Sequence, residues 1–287
     1  MAATHKYQRA LRDPGEIDPD TPFEALRQRL REQLREIERN EPGTRLGRDR
    51  ESLHDMRVAV RRLRALLHAG DELVANDTEE LDKRLKQLGR ALGEVRDVDV
   101  LLEHLESEAA ELEGEDGRRA RALLADLRSE RTRRRSRMLA ALRYDLYHAL
   151  LADTAGAIDG LEPSGAETEL DELADKAFAK LRKAVRKLPD DPTDQELHKV
   201  RKAGKRARYA AELAARKKFV KRAETLQDVL GEHQDSVVAA QWLRDLAADG
   251  PPGRALAAGR LVEREEGRRA EARAAWVKAW KKLRKTR

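Results

Sequence analysis

The stretch LHDMRVAVRRLRALL, Leu53 to Leu67, sets one histidine and four arginines among aliphatic residues. At about 100° per residue, Leu53, Met56, Val60, Leu63 and Leu67 line one helical face. His54, Arg57, Arg61 and Arg64 recur at i, i+3, i+7 and i+10, within an arc of about 80° that borders this face. The pattern returns in LHKVRKAGKRARYAA, residues 197–211, which pairs His54 with His198, Arg57 with Arg201, Arg61 with Lys205, Arg62 with Arg206 and Arg64 with Arg208. Further on, LKQLGRALGEVRDVDVLLEHL (85–105) matches AETLQDVLGEHQDSVVAAQWL (223–243), pairing Leu88 with Leu226, Gly93 with Gly231 and Asp97 with Asp235. Two motifs recurring in one order indicate an internal duplication. No stretch alternates as a strand would. The predicted fold is all-α, with two antiparallel four-helix bundles related by a pseudo-twofold axis.

Start signals support this reading. Thr21-Pro22-Phe23-Glu24 combines a cap, a proline at the first helical position and a capping-box glutamate. Ser164 with Glu167, Thr193 with Glu196 and Asp77 with Glu80 repeat the box, and Pro251-Pro252 follows a breaking Gly250. With breakers at Glu41-Pro42-Gly43, Gly114 to Gly117, Gly156 to Gly165 and Pro189 to Pro192, eight helical segments are predicted. They cover 21–40, 51–75, 78–111, 117–154, 166–188, 194–214, 217–248 and 252–285. The implied organisation is a flexible tail over 1–20, a first half over 21–155, a linker over 156–165 and a second half over 166–287.

Charged residues make up 40% of the 287, yet the net charge is only +6, so where the cations cluster matters more than their total. The absence of cysteine excludes disulfides and thiolate chemistry and is compatible with a reducing cytoplasm. No run approaches the ~20 apolar residues of a membrane span, and the N-terminus has no apolar signal-peptide stretch. A cytoplasmic protein without membrane attachment is predicted.

Neighbouring like charges on a helix repel by a few tenths of a kcal/mol each, and partial burial raises the cost unless an anion sits opposite. Either acids of neighbouring helices neutralise the stripes, or the stripes await an external polyanion. Other segments are basic too: 118–143 holds ten arginines against Asp126 and Glu130. Arg131, Arg134 and Arg135 of RTRRRSR, and Lys217, Lys218 and Lys221, are secondary candidates. RTRRRSR must wrap around its helix and cannot all face one ligand. Arginine's planar fork suits phosphate oxygens bidentately. Ten scattered aromatics argue against a base-stacking platform. No zinc-finger or Gly-Lys-Ser/Thr phosphate loop occurs. A polyanion with phosphates and no bases fits better than nucleic acid.

The two His-x-x-Arg-x-x-x-Arg/Lys stripes, each followed by Leu-Gly-Glu with an aspartate four residues past the glycine, resemble the CHAD family, the conserved histidine α-helical domain. That resemblance covers about residues 20–285. It implies two pseudosymmetric four-helix bundles around a basic central cavity that binds inorganic polyphosphate, and association with polyphosphate granules. With no metal-holding carboxylate cluster and no activated nucleophile in the sequence, neither catalysis nor a cofactor is expected. By the same resemblance His54, Arg57, Arg61, Arg62 and Arg64 face the ligand, with His198, Arg201, Lys202, Lys205, Arg206 and Arg208. Some members carry a fused triphosphatase domain with a Glu-x-Glu-x-Lys strand, which this sequence lacks. Gly204 stands where the first stripe has Val60, a departure from a strong helix.

His54 and His198 head the stripes. Each could donate to phosphate, more strongly when protonated, or tie a helix start to a neighbour. A metal role is not expected, since neither has a second histidine at i+3 or i+4 and a basic wall repels cations. Asp97 and Asp235 read either as carboxylates that orient arginines of their own bundles or as a catalytic acid pair. The rival functions are a nucleic-acid-binding, nucleoid-type protein using the outer arginines, and a regulator of a polyphosphate- or triphosphate-processing enzyme.

Overall fold

Thr21 caps the first helix as its position predicts: its hydroxyl accepts from the Glu24 N–H at 3.2 Å, and Pro22 occupies the first turn. The computed structural model of the protein describes residues 21–248 and 252–286. The predicted tail over 1–20 and the break at Gly250 and Pro251 lie outside them. Among the described residues the structure is helical, with nine α-helices, one short 3-10 turn and no strand beyond an isolated bridge between Val74 and Pro163. In order these are α1 (Pro22–Leu46), α2 (Arg50–Ala69), the 3-10 turn (Asp71–Leu73), α3 (Glu79–Ala110), α4 (Gly114–Ala141), α5 (Tyr144–Asp159), α6 (Leu170–Arg186), α7 (Asp194–Leu213), α8 (Lys217–Ala248) and α9 (Pro252–Leu283).

Several boundaries differ from the sequence expectation. The helix predicted over 51–75 ends at Ala69 before the 3-10 turn, and the helix predicted to end at 154 runs into the expected linker as far as Asp159. Three further differences have a visible cause. The helix predicted to stop at 40 runs through Pro42 and ends only at Gly47, whose φ of 66° supplies the left-handed cap. Tertiary packing overrides the breaker here. Thr44 is buried beyond it, and a Cβ on Gly43 would collide with the Ser52 hydroxyl of α2, so the two helices approach closely at that glycine. The segment predicted over 117–154 is two helices, because Arg143 takes an extended conformation (φ −53°, ψ 137°) between α4 and α5. Ser164 does not open α6: its hydroxyl donates to the Glu72 carbonyl at 2.7 Å, and α6 begins at Leu170. Its side chain is spent fastening the chain to the 3-10 turn.

The chain divides into two compact units. One comprises the residues up to Arg96, Arg133–Lys176 and Leu213–Ala215; the other comprises Asp97–Thr132, Ala177–Glu212 and the residues from Arg216 onward. In the first, Leu26, Leu30, Leu34 and Ile37 of α1 meet Met56, Val60 and Leu63 of α2, Leu85 and Leu92 of α3 and Leu151 and Ile158 of α5. The second holds two apolar clusters. Leu102, Leu105, Leu124, Leu243 and Leu261 form one, and Leu197, Val200, Phe219, Leu226, Trp276 and Trp280 the other. In that cluster the Phe178 and Phe219 rings meet edge to face at 5.0 Å.

An exposed proline inside a helix removes one backbone hydrogen bond. Pro42→Ala is expected to stabilise the protein by about 1–3 kcal/mol, read as a raised urea midpoint with unchanged slope.

Candidate functional site

The first stripe lies within the first unit. Asp49 caps α2 by accepting from the Glu51 and Ser52 N–H groups at 2.7 and 3.1 Å, and these bonds hold its carboxyl below the usual range. Leu53, Met56, Val60, Leu63 and Leu67 are buried, which fixes the rotation of the helix. His54, Arg57, Arg61, Arg62 and Arg64 are thereby all half-buried along the margin of the core. Arg57 lies across α3 at Gly93, where a Cβ would stand 3.3 Å from its Nε. Arg64 grips Asp82 of α3 bidentately at 2.8 and 3.0 Å. Burial, then the charge of Arg96, lowers the pKa of His54; Arg61 adds to this, and Glu51 and Asp55 oppose it.

The second stripe repeats the plan within the second unit. Thr193 and Glu196 form the predicted reciprocal box at 2.7 and 3.3 Å. Asp194, one residue further, is clamped by Arg269 at 2.9 and 2.7 Å and stands 3.1 Å from the buried His233. The helix passes through Gly204 without a break, and Gln227 donates to the Gly204 carbonyl at 3.3 Å. His198, Arg201, Lys205 and Arg208 are half-buried; Lys202 and Arg206 are exposed. Arg201 lies against Gly231 of α8, where a Cβ would be 3.8 Å from its Nη2. Arg208 reaches Glu224 at 3.0 Å and Glu212 at 3.5 Å, with its guanidinium 5.0 Å from the Tyr209 ring centre. Burial and then Lys202 lower the pKa of His198, with Arg201 and Lys205 acting the same way and a hydrogen bond to the Gln234 side chain opposing them.

Burial raises the pKa of Asp235 and Asp97 raises it further, while Arg201, Lys205 and His104 pull it down. Asp235 therefore faces cations of its own stripe. Each stripe gathers hydrogen-bond donors, namely guanidinium, ammonium and imidazole groups, and such a set binds oxyanions by charge-assisted bonds.

The outer arginines are engaged elsewhere. Arg131 is paired with the fully buried Asp99, Arg134 donates to the Glu94 carbonyl at 3.2 Å, and Arg135 donates to the Arg45 carbonyl at 2.5 Å. Lys217, Lys218 and Lys221 are exposed at the start of α8. Among the described residues no group of three or more His, Asp or Glu is placed to hold a metal ion, and no helix is long and apolar enough to cross a membrane. Sequence reasoning missed two arrangements. One is Arg96 beside His54. The other is His104, paired with the fully buried Glu265 and with Arg268, whose Nη1 is 2.6 Å from its Nδ1. Repeat alignment could have found Arg96; nothing local marks His104.

A family model described as CHAD domain matches residues 28–244. Two curated relatives from Mycobacterium tuberculosis, the uncharacterized proteins MT2285 (strain CDC 1551 / Oshkosh) and Rv2226 (strain ATCC 25618 / H37Rv), are each 30% identical over 247 residues. The match takes in 80% of this chain and 47% of theirs, so the chain spans about half their length. Among solved structures, PptA from Streptomyces chartreusis is similar with a TM-score of 0.74 and 27% identity, over 90% of this chain and 99% of that one. The crystal structure of the CHAD domain from the plant Ricinus communis is similar with a TM-score of 0.74 and 28% identity, over 94% of each chain.

The two glycines should respond differently to one added methyl. Gly231→Ala has room and is expected to stabilise the protein by about 0.5–1 kcal/mol through helix propensity. Gly93→Ala is expected to gain less, because the Arg57 guanidinium must shift. Paired urea denaturation curves check this, and equal gains would contradict the close contact at Gly93.

Proposed function

The chain belongs to the CHAD family, and on that premise we propose that it is a cytoplasmic protein that binds inorganic polyphosphate without catalysis. The polymer is held by the two His/Arg/Lys stripes, in the basic cavity that the family resemblance implies, and the protein can gather at polyphosphate granules. The observation that carries this reading is the matched plan of the two stripes. In each unit a histidine heads a half-buried row of cations, and an arginine of that row, Arg57 or Arg201, lies against a glycine of the following helix. Burial and then a cationic neighbour, Arg96 or Lys202, lower the pKa of both histidines, so a positive charge stands beside each ring. Dense phosphate is the anion class that many closely spaced forks can grip at once. The engagement of Arg131, Arg134 and Arg135 within the protein weighs against nucleic acid held by the outer arginine face.

Each charge-assisted hydrogen bond contributes about 1.5–3 kcal/mol, so Arg57→Glu with Arg201→Glu is expected to weaken polyphosphate binding by at least ~100-fold. Circular dichroism should show unchanged helicity. For the intact protein, log affinity should fall linearly with log salt, and duplex DNA should compete poorly. Unchanged retention by the double variant would move the site elsewhere. Phosphate release with a divalent metal would overturn the non-catalytic reading.

The histidines add a pH dependence of fixed sign. Their lowered pKa values leave them neutral near pH 7 in the free protein, and a bound polyanion raises those values, so binding takes up protons. Affinity at constant salt should therefore rise as pH falls from about 8 to about 6, and the His54→Gln, His198→Gln double variant should flatten the profile.

A further inference from the structure

In the aligned copies Arg96 and Gln234 hold the same position, three residues past Gly93 and Gly231. The structure sets each beside the histidine of its own copy, yet with different chemistry. Gln234 hydrogen-bonds to His198, a neutral contact that ties the second imidazole to α8. Arg96 instead places a cation against His54. Its Nε and Nη1 are buried and meet no hydrogen-bond partner among the described residues. Buried guanidinium N–H groups without an acceptor are costly. The nearest carboxylates that act on His54, Glu51 and Asp55, are both exposed. An oxyanion would supply both the acceptors and the charge that this corner needs.

We propose that Arg96 and His54 form a subsite for a single phosphoryl group, and that the second copy, with Gln234 in the equivalent place, lacks it. The two halves of the duplication are then unequal. The first anchors one phosphate through the Arg96 guanidinium and the His54 N–H, and the second contributes the more general attraction of its exposed Lys202 and Arg206. The identity of the natural ligand rests on the polyphosphate reading above; the subsite itself is a feature for any phosphate oxyanion.

The test uses the full chain with inorganic phosphate and with polyphosphate as separate probes. Inorganic phosphate should shift the His54 ring resonances in NMR spectra of the parent protein, and Arg96→Gln should remove that shift. The same substitution should weaken polyphosphate binding roughly tenfold and flatten the slope of log affinity against log salt by about 0.7, the loss of one phosphate contact. Arg96→Lys, which keeps the charge and guards against a folding defect, should lose less. Gln234→Arg should steepen the slope and tighten binding. An unchanged His54 shift and salt slope in Arg96→Gln, with polyphosphate binding still dependent on Arg57 and Arg201, would overturn the subsite and leave the polyphosphate reading intact. A phosphate shift that needs Arg96, in a protein with no affinity for polyphosphate, would do the reverse.

Discussion

Guanidinium groups half-buried at the edge of an aliphatic core are the constraint around which this protein is organised. On α2 the residues that must be inside, Met56, Val60 and Leu63, share a helical arc with Arg57, Arg61 and Arg64, so burying the first set carries the second partway in. Each such cation loses hydration and repels its neighbours three or four residues away. The surrounding structure meets that cost in different ways along the stripe. At its far end carboxylates of the next helix answer it: Asp82 takes Arg64, and Glu224 takes Arg208. Nearer its head, Arg96 sets a positive charge beside the His54 ring, and among the described residues no carboxylate of the facing helix is paired with it there.

The glycines of α3 and α8 belong to the same arrangement. A helix interior favours alanine over glycine, so Gly93 and Gly231 carry a propensity cost. At Gly93 the Arg57 guanidinium crowds the space a methyl would enter, since a Cβ would stand 3.3 Å from its Nε. At Gly231 the fit to Arg201 is looser, so the two stripes differ in tightness here as they differ in chemistry at Arg96 and Gln234. The two stripes share a plan, and a few contacts make them chemically distinct.

Two kinds of arginine coexist in the chain, and their sequences look alike. Those in RTRRRSR read as an open basic face, but α4 presents them to acceptors at close range: a buried aspartate for Arg131 and backbone carbonyls for Arg134 and Arg135. Pairing with a buried carboxylate holds a charge firmly, because breaking the pair would strand its partner. Charge density along the sequence is therefore a poor guide to which cations can meet a ligand.

By itself the sequence determined the helical class, the caps at Thr21 and Thr193 and the rows of cations bordering each core face. All of these follow from spacing at the helical period or from groups three or four residues apart. Contacts distant in sequence decided the rest. Helix α1 continues through Pro42 because packing on α2 outweighs a local preference, and Ser164 is diverted from capping by the carbonyl of Glu72. The fates of Arg131, Arg134 and Arg135 depend on acceptors at Asp99, Glu94 and Arg45, and the pairing of His104 with Glu265 spans most of the chain. Electrostatic and hydrogen-bond partners act over a few ångströms of space and take no account of separation along the backbone, so only the folded arrangement could assign them.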